Sequence, residues 1–331
     1  MTVLELLAAF ALIVGGAVGF TNAVEWLAQR LNLGAGAAGA LLAAVGTALP
    51  ESVIPIVALL SGGGGQGVQI AIGAIVGAPL LLGTLAMLLV AGSAHAFKAR
   101  REQGAEIRGE PGATRRDLAW FLALFPVAVV LGAIGVPAGV RYAAAALLLI
   151  AYGLYVRQTV HRSGDAGDEG ELGSLYFDTS KDDPPNGWQI GGQLAASLAA
   201  IVGGAELFVD AIERVAVSAG IEPLVLALVL APLATELPEK LNSVLWMRSG
   251  KDALALGNIT GAMTFQATIP VALGLVFTSW DLEPQAVVAG LIGIAGGALA
   301  RFAMPRTRVG LVPVALWGGL FCGFVAYAAL T

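Results

Sequence analysis

The chain of 331 residues is 57% hydrophobic and only 12% charged, with a formal net charge of −5 and a mean hydropathy of +0.81. A soluble globular domain carries roughly twice that charged fraction, so the composition excludes this class and indicates a polytopic membrane protein. The single cysteine, Cys322, excludes a disulfide framework and a cysteine-based metal site.

Ten apolar segments follow one another along the chain, and each is long enough to form a membrane helix. They cover residues 3–26, 35–60, 68–92, 117–135, 138–157, 188–212, 221–247, 252–276, 285–303 and 309–330. The first segment lacks a basic leader and a cleavage pattern, so we expect a retained helix and not a signal peptide. Two connections are long. Residues 93–116 are basic, whereas residues 158–187 are acidic and predict a flexible linker.

A short acidic motif that contains a proline occurs twice, and the sequence before it recurs at the same offset in numbering. GTALPES at residues 46–52 returns as ATELPEK at residues 234–240, and GGAVGFTNAVE at 15–25 returns as GGAELFVDAIE at 203–213. The chain is therefore predicted to consist of two related halves, 1–157 and 188–331. Because each half has an odd number of helices, the second half inserts in the opposite orientation. The predicted fold is an all-α polytopic membrane protein with ten transmembrane helices arranged as two inverted five-helix repeats.

The distribution of basic residues predicts the orientation in the membrane. Fifteen Lys and Arg residues fall on one side of the ten segments, and only Arg141 and Arg214 fall on the other. Since basic loops stay in the cytoplasm, both termini are predicted to lie outside, with 93–116 and 158–187 in the cytoplasm. The expected location is a prokaryote-like plasma (inner) membrane.

Each motif copy brings oxygen atoms together inside an apolar segment. A proline frees backbone carbonyls in the preceding turn. Thr47 and Glu51 are four residues apart and share a helix face, as do Thr235 and Glu239. A carboxylate in hydrocarbon is costly unless it binds something, so this pattern predicts an ion site. Carboxylate, hydroxyl and carbonyl oxygens suit hard cations such as Ca²⁺, Mg²⁺, Mn²⁺ or Na⁺.

The segments that follow the two motifs also align with one another, at a slightly shorter offset, and they differ in polarity. Asn258 and Gln266 in the second half stand where the first half has Ala74 and Leu82. The predicted site is therefore asymmetric.

Further polar residues align between the halves. Asn22 pairs with Asp210 at the same offset as the two motif copies. These two residues are candidates for an ion or proton pathway together with Asn258, and hydrogen bonding between helices is the alternative interpretation. Glu25 and Glu213 are expected to be structural anchors at helix ends.

The paired motifs resemble those of the cation/calcium exchanger superfamily, and the layout is similar to that of prokaryotic sodium/calcium exchangers. That family has ten helices in two inverted halves, each with a GTSLPE-type motif, which GTALPE and ATELPE resemble closely. The resemblance implies that Glu51 and Glu239 are the two central cation-binding carboxylates, with Thr47 and Thr235 as supporting ligands.

The chain also departs from the pattern of that family. Glu236 stands at the position of a serine, Gln266 at that of an acid and Leu82 at that of an amide. Lys240 follows Glu236 by four residues, so the two side chains are expected to pair along one helix and to modulate the site. With both motif carboxylates ionised, the net charge near the site is then −2.

These features predict a secondary active antiporter and not an enzyme. It would export a divalent cation, with Ca²⁺ as the preferred assignment, in exchange for Na⁺ or H⁺ by alternating access. The predicted partners are the lipid bilayer and inorganic cations, without cofactor, nucleic acid or obligatory protein partner. The alternative within transport is a proton-coupled Mn²⁺ or Mg²⁺ exporter. The alternatives of another class are a non-transporting scaffold and an intramembrane enzyme, although the sequence has no HExxH motif and no Ser/His pair.

Overall fold

The computed structural model of the chain describes residues 2–30, 48–61, 65–109, 111–162, 174–178, 185–304 and 309–330. Within these ranges the protein is built from α-helices and one π-helical segment. The helices are α1 Thr2–Arg30, α2 Ala48–Ser61, α3 Gly65–Leu81, the π segment Leu82–Ala86, α4 Met87–Ala96, α5 Pro111–Ile134, α6 Ala138–Arg162, α7 Gly187–Ala219, α8 Pro223–Arg248, α9 Asp252–Gln266, α10 Ile269–Phe277, α11 Pro284–Ala303 and α12 Leu311–Ala328.

Eight described helical stretches are long and apolar enough to cross a membrane. They are Val3–Leu27, Gly65–Ala96, Gly112–Ile134, Ala138–Thr159, Gly187–Ala219, Asp252–Phe277, Pro284–Ala303 and Leu311–Ala328. Two shorter apolar stretches, Glu51–Leu60 and Pro223–Leu237, belong to α2 and α8, the helices that carry the motifs. All ten stretches overlap the ten predicted segments, and the full count of ten membrane helices stays a prediction.

Two parts of the predicted linker, residues 158–162 and 174–178, belong to the packed structure. Helix α6 continues to Arg162, beyond the expected boundary at residue 157. Part of the following segment, residues 174–178, packs against α1 and α7. Leu175 is buried there among Ala23, Trp26 and Ile190, because an apolar side chain in an acidic segment gains by leaving water.

Helices α1 and α7 cross with reciprocal contacts between equivalent residues. A Cβ atom at Gly16 would lie 2.8 Å from Cγ1 of Ile201, and one at Gly204 would lie 2.9 Å from Cγ1 of Ile13. Gly16 and Gly204 are equivalent positions of the repeat, and so are Ile13 and Ile201. Each glycine therefore receives the same residue of the opposite helix, which is the contact pattern of a twofold-related pair.

The continuous stretch α3–π–α4 forms the centre of the described structure, with α8 on one side and α11 on another. At Gly77 of α3 a Cβ atom would lie 2.1 Å from the backbone oxygen of Leu228, so the backbones of α3 and α8 touch. Pro79 lacks a backbone N–H, and the helix widens into the π segment a few residues later. This central stretch holds α2 and α8, and therefore both motifs, against one another.

Candidate cation-binding site

The carboxylate of the first motif is buried against the second half of the chain. Glu51 lies in the first turn of α2, and its side chain is only 7% exposed. Gln266, the last residue of α9, donates its Nε2 to Oε2 of Glu51. Gln266 is itself 1% exposed, so this hydrogen bond forms away from water.

Thr235 of the second motif lines the same narrow cleft as Glu51 and Gln266. The hydroxyl of Thr235 donates to the backbone oxygen of Ala231 at 3.3 Å and keeps lone pairs that can accept or coordinate. The remaining lining residues are small or apolar: Ile54, Ala74, Ala78, Ala231 and Pro232. Three oxygen-bearing side chains therefore line one narrow cleft whose other described walls are apolar.

The cleft contains kinds of group that bind hard cations. Its described donors are a carboxylate, a hydroxyl and an amide, which are ligands that Ca²⁺ and Na⁺ accept. Thr47 and the side chain of Glu239 lie outside the described residues, although the backbone of Glu239 belongs to α8. In the described part of the chain no group of three or more His, Cys, Asp or Glu side chains could hold a metal ion.

A buried ion pair lies on α8 next to the cleft. The Lys240 ammonium donates to Oε2 of Glu236, as their spacing of four residues predicts. Glu236 is 1% exposed and Lys240 is 2% exposed. Oε1 of Glu236 is buried and accepts no hydrogen bond from the described residues.

The three candidate pathway residues, Asn22, Asp210 and Asn258, lie outside the described lining of the cleft. Asn258 donates to Oγ of Ser243 at 3.1 Å and ties α9 to α8. Asn22 accepts at 2.9 Å from Gln193 and donates at 3.4 Å to the backbone of the segment 174–178. Asp210 is exposed on α7. For Asn22 and Asn258 this corresponds to hydrogen bonding between packed segments.

Two groups near the site escape sequence reasoning. Tyr152 of α6 is close enough to Glu51 for the two to interact electrostatically, and its ring stacks edge-on against Phe265 at 5.7 Å. Asp117 of α5 is buried and accepts a hydrogen bond from Thr260 of α9 at 2.9 Å. Tyr152 belongs to no motif, and Asp117 directly follows Arg115 and Arg116 at the start of its apolar segment, where an acid is ordinary.

Comparison with known proteins identifies the family. The profile described as sodium/calcium exchanger protein matches residues 1–159 and 190–329. A candidate antiporter, CaxA of Alkalimonas amylolytica, is 23% identical over 284 residues, which are 85% of this chain and 82% of that protein.

Solved structures share the fold over nearly the whole chain. The crystal structure of the H⁺/Ca²⁺ exchanger CAX gives a TM-score of 0.74 at 17% identity and covers 98% of this chain and 81% of the other. The structure of native YfkE gives 0.72 at 15% identity, with 100% and 92% covered. The sodium-calcium exchanger NCX_Mj, soaked with Na⁺ and Sr²⁺, gives 0.62 at 22% identity, with 98% and 99% covered. The membrane-length helices and the family profile together show an integral membrane protein that belongs to the sodium/calcium exchanger protein family.

Proposed function

We propose that this protein is a secondary active antiporter that exports Ca²⁺ in exchange for Na⁺ or H⁺ at the cleft around Glu51. One observation carries the proposal: the carboxylate of the first motif and the hydroxyl of the second motif line one buried cleft. Burying a carboxylate away from water is costly, so a buried carboxylate in a membrane protein indicates a functional site. Membership of an exchanger family and the relatives named for H⁺/Ca²⁺ and sodium-calcium exchange support the same activity.

The hydrogen bond between Gln266 and Glu51 gives the cleft a closed form that a cation can replace. In the closed form the amide N–H satisfies one carboxylate oxygen. An arriving cation takes that oxygen, and rotation of the amide then presents its oxygen instead of its nitrogen. Thr235 adds a hydroxyl oxygen. Because the two motifs are equivalent, we assign Thr47 the role of Thr235 and Glu239 the role of Glu51. Since both loads use the same oxygens, binding of one excludes the other.

The inverted repeat supplies the alternating access in this proposal. The reciprocal contact of Gly16 with Ile201 and of Gly204 with Ile13 supports a twofold relation between the halves. The packing of the helices is also equivalent in the two halves. In the first half α2 packs on α3, and in the second half their counterparts α8 and α9 pack on one another. Between the halves, α5 packs on α9, and its counterpart α11 packs on α3. A pair of related halves can rock about the cleft and open it to either side of the membrane.

Charge sets the expected stoichiometry. Glu51, Glu236 and Glu239 are offset by Lys240, which leaves −2 in the site and matches one divalent ion or two monovalent ions. The empty site would carry two uncompensated charges across a dry barrier, which disfavours movement without a load. The proposed exchange is therefore electroneutral.

Transport by purified protein in liposomes tests the proposal. We expect Ca²⁺ flux when either a Na⁺ gradient or a pH gradient is imposed alone, and the effective gradient identifies the counter-ion. Competition by Mn²⁺ and Mg²⁺ decides between Ca²⁺ and the alternative substrates. A potential set with valinomycin and K⁺ should leave the rate unchanged. If Ca²⁺ flux under both gradients equals that of protein-free liposomes, antiport is rejected. A clear dependence of the rate on voltage would reject the exchange of one divalent ion for two monovalent ions.

A further inference from the structure

The Glu236 and Lys240 pair has the surroundings of an ion site and not of a surface salt bridge. Both side chains are almost completely buried, and Thr235, the residue before Glu236, lines the cleft. Removing a charge from water is costly for each ion, so the pair is stable only because each charge compensates the other. A lysine at this place therefore acts as a permanent counter-charge for Glu236.

Glu236 offers more ligand capacity than the lysine uses. A carboxylate has about four acceptor positions on two oxygens. Lys240 occupies Oε2, whereas Oε1 is buried and accepts no hydrogen bond from the described part of the chain. If the ammonium were absent, Glu236 would be a buried carboxylate with both oxygens available, which is the usual protein ligand for a small cation.

The pair exists in one half of the protein only. When the two motif copies are aligned, Glu236 corresponds to Ala48 and Lys240 to Ser52, and neither of these carries a charge. Packing shared by both halves therefore does not require the pair. Its effect is confined to the electrostatics of the second motif.

We propose that the Lys240 ammonium is a built-in monovalent cation that fills a second cation subsite beside Glu236. Being tethered, it has a high effective concentration, so a free Na⁺ or K⁺ does not displace it and it does not leave with the load. It thereby lowers by one the number of free cations that the site needs. This inference rests on the proposed function, because it assigns the subsite to the same transport centre.

The decisive variant is Lys240→Met, whose unbranched side chain is one heavy atom shorter than that of lysine and carries no charge. In the purified full chain at saturating Ca²⁺, we expect this variant to retain radioactive Na⁺, or Rb⁺ as a substitute for K⁺. The expected gain over the parent chain is at least about tenfold. Glu236→Gln combined with Lys240→Met should lose the added binding, and Lys240→Arg should keep it low. If Lys240→Met binds no more monovalent ion than the parent, or the double variant binds as much as the single one, the inference is wrong.

A second comparison covers the case in which Lys240→Met does not fold. Glu236→Gln alone leaves an unpaired positive charge, so Ca²⁺ affinity should fall by at least about tenfold. Adding Lys240→Met to that variant should restore the affinity, and equal affinities in the two would overturn the inference. Ca²⁺ binding by the parent chain separates the two proposals. Its absence would reject the transport site, whereas its presence with unchanged monovalent binding would reject only the role of Lys240.

Discussion

The crossing of α1 with α7 and the cleft around Glu51 contain residues from the same duplication, yet they differ in symmetry. At the crossing, each half contributes the same glycine and the same isoleucine to the other. In the cleft, Gln266 bonds Glu51, while its counterpart Leu82 is buried and has no polar group to offer. The contact between α1 and α7 is thus alike in both halves, whereas the polar groups at the cleft differ between them.

The largest expected effect tests whether the two motif carboxylates are equivalent despite that divergence. Glu51→Gln and Glu239→Gln should each reduce Ca²⁺ flux to that of protein-free liposomes, because each removes a charge that the divalent ion needs. Glu25→Gln and Glu213→Gln, at acids expected to be anchors, are the matched controls and should retain most of the flux. Flux close to that of the parent chain in Glu239→Gln would show that only the first half carries the essential charge.

The second prediction concerns the symmetric region. Gly16→Ala and Gly204→Ala should each lower the stability by about 1–3 kcal/mol, because the added methyl group meets the opposite helix. Thermal unfolding in detergent measures the effect. Gly15→Ala and Gly203→Ala are controls one residue away, where the added Cβ meets no group of another helix within 4 Å in the described structure. Clearly unequal losses at Gly16 and Gly204 would contradict the reciprocal contact.

Sequence reasoning located the helices because hydropathy reports directly on contact with lipid. It also singled out Glu51 and Thr235, because they belong to the two motif copies in apolar segments. Gln266 was singled out as a polar residue whose counterpart, Leu82, is apolar. That these residues bind a cation stays a prediction. The spacing of Glu236 and Lys240 predicted their pairing, because residues four apart on a helix are always neighbours.

Contacts between distant segments could not be predicted in the same way. Tyr152 approaches Glu51 because α6 packs on α10, the helix that follows Gln266, and no local pattern encodes that approach. The packing of Leu175 under α1 and α7 was likewise invisible in an acidic segment that resembles a linker. The π segment follows Pro79, but a proline alone does not state where the helix will widen.

The third prediction sharpens the asymmetry of the cleft. Gln266→Asp places a second carboxylate beside that of Glu51. Two neighbouring buried carboxylates repel one another unless a cation or a proton lies between them. We expect the Na⁺ dependence of Ca²⁺ flux at constant pH to increase several-fold. Gln266→Asn, which keeps an amide, is the control and should not increase it. If Na⁺ affects neither the parent nor the aspartate variant, proton coupling becomes the better assignment.

The smallest expected effect concerns a pair of acids at helix starts in the second half of the chain. Glu222 and Glu283 precede the first turns of α8 and α11, and the two carboxyl groups are close enough to interact electrostatically. Gln69 of α3 donates to Oε1 of Glu283 at 3.0 Å and ties this pair to the first half. Burial, followed by the charge and hydrogen bond of Glu283, raises the pKa of Glu222.

Because that pKa is raised in the folded state, the protonated carboxyl stabilises the fold at low pH. The contribution is complete below the ordinary glutamate pKa and disappears as the pH rises through the raised value. Glu222→Gln should therefore flatten the fall in melting temperature across mildly acidic pH, by a small amount because Glu222 is largely exposed to solvent. Glu102→Gln, at an exposed acid in the basic loop, should leave the profile of the parent chain unchanged. A profile that is equally steep with and without the Glu222 carboxyl would contradict the raised pKa of Glu222.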